Sequence, residues 1–217
     1  MYTKLLHNFL TSAVATTIIN KMSFTFKTTK GKTYYLKSRA TKKGNTTYYL
    51  TQKKDAECLQ EVPVGYEVFE KYDSGQAYIR KIKESHIEEA EIAAIGKELR
   101  RNKSLHDFKL DICGDEIRIY TKERGATTEG SELLRGFMSG TRENPGAMLN
   151  RFARYEERMR IILVHRKNER EFTFQRYYYR GSIDDWITID SGSDLEALAE
   201  KNLYHLGKES YYKLFGF

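Results

Sequence analysis

Residues 24–54 read FTFKTTKGKTYYLKSRATKKGNTTYYLTQKK, and the reading of this stretch decides the fold. Apolar and polar residues alternate through it, and Lys30-Gly31 and Lys42-Lys43-Gly44-Asn45 interrupt the alternation with turn residues. That pattern predicts short antiparallel strands over 23–28, 33–39 and 46–52. Thr33-Tyr34-Tyr35-Leu36 and Thr47-Tyr48-Tyr49-Leu50 nearly repeat each other, which predicts a hairpin with matched cross-strand aromatics. Further strands are expected over 66–71 and 76–82, so residues 22–84 read as a basic, five-stranded β-meander domain.

The same stretch carries no acidic residue. Asp55 is the first in the chain: residues 1–54 hold eleven Lys or Arg, whereas the remainder holds 26 basic and 30 acidic residues. The formal net charge of +7 therefore resides at one end, and such a one-signed field attracts polyanions and is screened by salt. Parity assigns the faces. If Tyr34, Leu36, Tyr48 and Leu50 line the core, the other side shows Tyr35 and Tyr49 framed by Lys27, Lys37, Arg39 and Lys53. A nucleic-acid platform has this composition, because rings stack on bases and cations follow phosphates. A sheet whose tyrosines pack on a second domain and whose lysines keep an edge soluble has it too. Lys42, Lys43 and Lys54, in or beside turns, are expected to be solvated in either case, and the acidic run Glu84, Glu88, Glu89 and Glu91 could neutralise the sheet from within the chain.

Beyond residue 84 the pattern changes to helices and hairpins. Ser85 and Glu88 form a capping-box pair ahead of Ile92, Ile95, Gly96 and Leu99, predicting a helix over 86–101. A hairpin turns at Gly114-Asp115 between strands at 108–113 and 116–122. Residues 123–144 are a polar, Gly-rich loop, after which Asn144 and Pro145 open a second helix with Met148, Phe152 and Tyr155 on one face. Strands follow at 161–164, 172–179 and 186–190. Ser193 and Glu196 cap a final helix with the stripe Leu195, Leu198, Ala199, Leu203 and Leu206, closed by Gly207. Ser210, Tyr211, Tyr212, Leu214 and Phe215 read as further core. Residues 85–217 thus form an α+β domain, and the whole chain is α+β: an antiparallel meander followed by hairpins packed with helices.

Several function classes find no footing. There is no GxSxG, phosphate loop or dinucleotide fingerprint, so no catalytic residue or cofactor is expected and the chain reads as non-enzymatic. Cys58 and Cys113 are far apart and outside any CxxC, which fits a reducing cytoplasm. His7, His86, His106, His165 and His205 do not fall at metal-ligand spacing with one another or with a cysteine, so no metal site is expected. Asp107, Asp111, Asp115 and Glu116 crowd the second hairpin without matching a metal-nuclease pattern. Arg176 and Arg180 with Asp184 and Asp185 could make an anion site, but adjacent carboxylates on an extended segment point to opposite faces, and an Arg180–Asp ion pair bracing the turn before Trp186 is the simpler role. Residues 1–21 are too broken by His7, Asn8, Thr11 and Ser12 for a signal peptide, and no apolar stretch in them reaches the roughly 20 residues needed to span a bilayer. They read as a leader helix or a non-native extension ahead of a natural start at Met22, and no membrane partner is expected.

Gly31-Lys32-Thr33-Tyr34-Tyr35-Leu36, Gly65-Tyr66-Glu67-Val68-Phe69-Glu70 with Gly75-Gln76-Ala77-Tyr78-Ile79-Arg80-Lys81, Arg180-Gly181-Ser182-Ile183-Asp184-Asp185-Trp186-Ile187 and His205-Leu206-Gly207-Lys208-Glu209-Ser210 resemble a family of uncharacterised prokaryotic proteins. The resemblance runs from about Phe24 to Phe215. It implies a prokaryotic, cytoplasmic setting and carries over no activity, cofactor or site residue.

The expectation is therefore a binding module that engages nucleic acid through the Tyr-bearing sheet, Tyr35 and Tyr49 stacking while Lys27, Lys37, Arg39 and Lys53 contact phosphates. The alternative is a protein-interaction or structural subunit with no nucleic-acid role. An enzyme would have its site at Arg180–Trp186.

Overall fold

The computed structural model describes residues 23–122, 153–166, 169–180 and 183–215. The expected leader at 1–21, the polar loop at 123–144, the helix opening at Asn144-Pro145 and the turn at Gly181-Ser182 lie outside these residues. The described part is an α+β fold of antiparallel sheets, as the sequence predicts.

The N-terminal region differs from one continuous meander. Strands β1 (Thr25–Lys27), β2 (Thr33–Ala40) and β3 (Thr46–Thr51) form a three-stranded sheet, while β4 (Tyr66–Lys71) and β5 (Gln76–Lys81) form a separate hairpin. The connection after β3 explains the break. Leu59 donates its N–H to the Leu36 carbonyl and accepts from the Phe24 N–H, each at 2.8 Å, so the chain returns to the β1 side of β2 before β4 begins. Among the described residues, the β3 edge has no fourth strand. The tyrosine repeats do not pair either: Leu36 lies opposite Leu50, Lys37 opposite Tyr49, Ser38 opposite Tyr48 and Tyr35 opposite Thr51. Antiparallel pairing reverses one copy of the repeat against the other, so only the two leucines meet.

The two N-terminal sheets share an apolar seam. Leu36 is fully buried and Tyr34 nearly so, and the Tyr48 ring meets Tyr66 of β4 edge-on at 4.9 Å. The turn before β2 is anchored to the β4–β5 hairpin, because the Thr29 N–H and hydroxyl both donate to the Glu70 carboxylate.

The C-terminal strands β6 (Phe108–Cys113), β7 (Glu116–Lys122), β8 (Tyr155–Arg166), β9 (Glu169–Arg180) and β10 (Ile183–Gly192) form one five-stranded sheet in sequential order. Here β8 corrects the expectation: Tyr155 opens a strand and does not close a helix. Only Ile161–Val164 is continuously apolar; elsewhere Glu156, Glu157, Arg158 and Arg160 intervene. A register shift between Ile119 and Tyr120 explains why a simple alternation fails on this strand. Met159, Ile161 and Leu163 face the main core, whereas Tyr155 joins Tyr120 and Tyr72 in a smaller cluster.

Helices α1 (Glu89–Arg101) and α2 (Leu195–Leu203) supply the other half of that core through Ile95, Leu99, Leu195, Leu198, Ala199 and Leu203, against Ile117, Ile119, Ile161, Phe172 and Phe174. Both caps shift from the expected positions. Glu88 and Glu91 form the capping box of α1, and Asp194 caps α2 by accepting from the Ala197 N–H at 3.0 Å. A 3₁₀ turn over Glu209–Lys213 then buries Tyr211 but leaves Tyr212 and Phe215 exposed, so only part of the expected tail core is core. The N-terminal hairpin meets the large sheet through Arg80, whose guanidinium donates to both Asp111 oxygens (2.9 and 2.6 Å), to Glu67 and to the Ile112 carbonyl. No helix among the described residues is long and apolar enough to cross a membrane.

Candidate nucleic-acid interface

The register of β1, β2 and β3 puts Lys27, Tyr35, Lys37, Arg39, Tyr49 and Thr51 on one side of the sheet and Phe26, Tyr34, Leu36 and Leu50 on the other. Burial follows the same division: Leu36 and Tyr34 are buried, while Lys27, Arg39 and Tyr49 are exposed and Tyr35 is half-buried. Lys27, Tyr35, Arg39 and Tyr49 thus share one side, and Lys53 is exposed just beyond β3.

Two ring–cation pairs organise it. The Arg39 guanidinium lies over the Tyr49 ring at 5.8 Å, and Lys54 Nζ lies over the Tyr35 ring at 6.0 Å. Sequence reasoning left Lys54 with the solvated turn lysines; its position beside Tyr35 follows from the chain leaving β3 across the face. Among the described residues, Lys27, Arg39, Lys53 and Lys54 form no ion pair, so all four charges are open to an incoming anion.

Lys37 departs from the expectation. It is buried, donates a short hydrogen bond to Asp55 and lies 3.5 Å from Glu57. The hydrogen bond to Asp55 is the main cause that raises the Lys37 pKa and lowers that of Asp55, despite the opposing cost of burial on both. Asp55 is further fixed by the Glu57 N–H at 3.0 Å. The first acidic residues of the chain therefore fold back to neutralise the central lysine of the basic face.

At the β3 edge a groove of about 400 Å³ lies between β3 and β5, lined mainly by the inner-side residues Tyr34, Tyr48 and Leu50 with Tyr78 and Ile79 of β5, and Tyr49 reaches its rim. Tyr78 comes from β5 and is exposed. Its position beside β3 had no signal in the strand pattern, because only the packing of β5 against β3 brings it there.

The second constellation separates. Arg176 is buried at 2% exposure and donates to the Leu214, Tyr177 and Tyr212 carbonyls, with its guanidinium 5.0–5.5 Å from the rings of Tyr178, Tyr211 and Phe215. It fastens the C-terminal tail to β9 and is not an anion site. Asp184 and Asp185 are exposed and lie opposite Tyr179 and Tyr178 on alternate faces of β10, and Asp184 accepts from the Tyr177 hydroxyl. The Arg180 side chain, and with it the expected Arg180–Asp pair, lies outside the described residues. Trp186 instead stacks with Arg160, whose guanidinium carbon sits 3.9 Å from the ring centroid.

The carboxylates round the second hairpin also go to separate partners. Asp111 binds Arg80, Asp107 accepts from the Tyr155 hydroxyl, Glu116 binds Arg118 and Asp115 faces His86. Comparison of the chain with family models, with characterised proteins and with solved structures finds no match.

Proposed function

We propose that this chain is a non-enzymatic nucleic-acid-binding module that works through the outer face of β1–β3. The observation that carries the reading is the pairing of exposed Tyr49 with Arg39 and of Tyr35 with Lys54 on one face that also bears Lys27, with Lys53 exposed just beyond β3, all four cations free of acidic partners among the described residues. A ring flanked by a free cation matches a nucleotide, which offers a stacking face and a phosphate within one repeat. Exposed rings of this kind suit unpaired bases, since bases inside a duplex have no free face to stack.

Lys37 belongs to the support of this face and not to its contacts. The setting we propose is the prokaryotic cytoplasm, consistent with Cys58 and Cys113 both being free thiols. A protein partner for the same face is the second reading, favoured by the Lys37–Asp55–Glu57 cluster, which lowers the charge density at its centre. Titration of labelled single-stranded DNA, duplex DNA and RNA with the full chain and with a Tyr35→Ala/Tyr49→Ala variant separates the two. The nucleic-acid reading expects binding that the variant loses by tenfold or more, since stacking contributes about 1–3 kcal/mol per base. Failure of all three polymers to bind at low salt would leave the protein-partner reading.

A further inference from the structure

His86, Asp115 and His165 come from three separate places: the segment ahead of α1, the β6–β7 turn and the end of β8. The fold brings one ligand atom of each within 4.8 Å of the others. His86 Nδ1 lies 3.1 and 3.2 Å from the two Asp115 oxygens, and the His86 and His165 rings meet edge to face at 5.3 Å. Among the described residues the ring nitrogens of His165 have no hydrogen-bond partner, although the residue sits against a carboxylate and a second imidazole.

Backbone contacts hold this arrangement in place. The His86 N–H donates to Asp115 at 2.7 Å, and the Asp115 carbonyl accepts from the Leu163 N–H at 2.8 Å, two residues before His165. Arg170, which pairs with His165 across β8 and β9, donates to the His86 carbonyl at 2.9 Å. Its positive charge would oppose a cation, but Glu91 at 2.7 Å and Glu88 at 3.9 Å offset it. A Cβ on Gly114 would come within 3.3 Å of Lys83 Cβ, so the turn lies close to the segment that carries His86.

We infer that His86, Asp115 and His165 form a binding site for a divalent transition metal of the zinc type. Two imidazoles and one carboxylate suit this class of ion, and three protein ligands leave a fourth position for water or a bound anion. Ligands at 2.0–2.2 Å from a tetrahedral ion lie about 3.3–3.6 Å apart, close to the 3.1 and 3.2 Å between His86 Nδ1 and the Asp115 oxygens. Closing His165 onto the ion takes a shift of about 1.5 Å or less, which a side chain at an exposed strand end can make. This inference is independent of the nucleic-acid reading, because it uses none of the β1–β3 residues.

The test is calorimetric titration of the untagged full chain with Zn²⁺, and its absorption spectrum with Co²⁺, for the parent and for His86→Gln and His165→Gln. Both histidines are exposed, and unchanged melting temperatures would show that the variants fold. The expected result is one Zn²⁺ per chain and a Co²⁺ spectrum of low coordination number, with affinity falling on the order of 100-fold in each variant. No saturable binding by the parent, or equal binding by parent and His165→Gln, would overturn the site.

Discussion

Lys37 on β2 and Asp55 in the loop after β3 form a short ion pair in the middle of the basic face, with Glu57 3.5 Å from the same ammonium. The pair sorts the lysines of this face into one that serves the fold and others that remain available. Lys37→Met is expected to lower nucleic-acid affinity by about two- to fivefold at low salt, because it leaves the Asp55 carboxylate unpaired on the face. Asp55→Asn is expected to raise affinity by about two- to fivefold at low salt by freeing one more phosphate contact. Paired binding titrations of the two variants check this, and tighter binding by Lys37→Met than by Asp55→Asn would mean that the ligand does not meet this face as a polyanion.

Arg80 and Asp111 join the N-terminal hairpin to the large sheet. Asp111→Ala removes two charge-assisted hydrogen bonds while leaving Glu67 on the same guanidinium. The expected cost is about 2 kcal/mol, read as a lower urea midpoint. A loss confined to fluorescence from the N-terminal tyrosines would show that the hairpin detaches before the rest unfolds.

The end of α2 depends on Asn102, whose buried side-chain amide donates to the Leu203 and Leu206 carbonyls, both at 2.9 Å, and whose oxygen accepts from the Ser104 N–H. Asn102→Ala should destabilise the chain by about 2–3 kcal/mol, because it strands buried carbonyls. Gly207→Ala should also destabilise. Gly207 has φ +77°, and an added Cβ would lie 2.8 Å from the Ser104 carbonyl oxygen. Thermal melts of both variants check the prediction, and an unchanged midpoint in either would contradict it.

Acid sensitivity follows from Asp190. Burial pushes its carboxyl up, but hydrogen bonds from Lys201 and Asn202 outweigh that and hold it below the ordinary value. A folded-state pKa below the unfolded one contributes stability that is present above the unfolded value, about 3.9, and is lost as pH falls through the folded one. Urea midpoints between pH 5 and pH 2 should therefore drop more steeply for the parent chain than for Asp190→Asn. Parallel curves would remove Asp190 from the acid response.

The sequence made the strands of the basic face legible because period two and the Lys-Gly and Gly-Asn turns coincide there. Its outer residues could be assigned by parity for the same reason, and Lys27, Tyr35, Arg39 and Tyr49 do share one side. What parity could not convey is where the following loop goes. The return of Asp55 onto Lys37, the turn of Lys54 toward Tyr35 and the arrival of Tyr78 from β5 all depend on contacts distant along the chain. The long strand β8 was hidden by charged residues and by a register shift that moves Tyr155 to the other face from Met159. His86, Asp115 and His165 have no local spacing to betray them, since each lies on a different element.

The salt dependence of nucleic-acid binding by the full chain tests the central claim most directly. With Lys27, Arg39, Lys53 and Lys54 as the free cations, the logarithm of affinity for single strands should fall with the logarithm of salt at a slope of about −3. The Tyr35→Ala/Tyr49→Ala variant should bind more weakly at every salt concentration with nearly the same slope, because it loses stacking and keeps the charges. A slope near zero, or a double variant that binds as tightly as the parent, would contradict the assignment of nucleic-acid binding to this face.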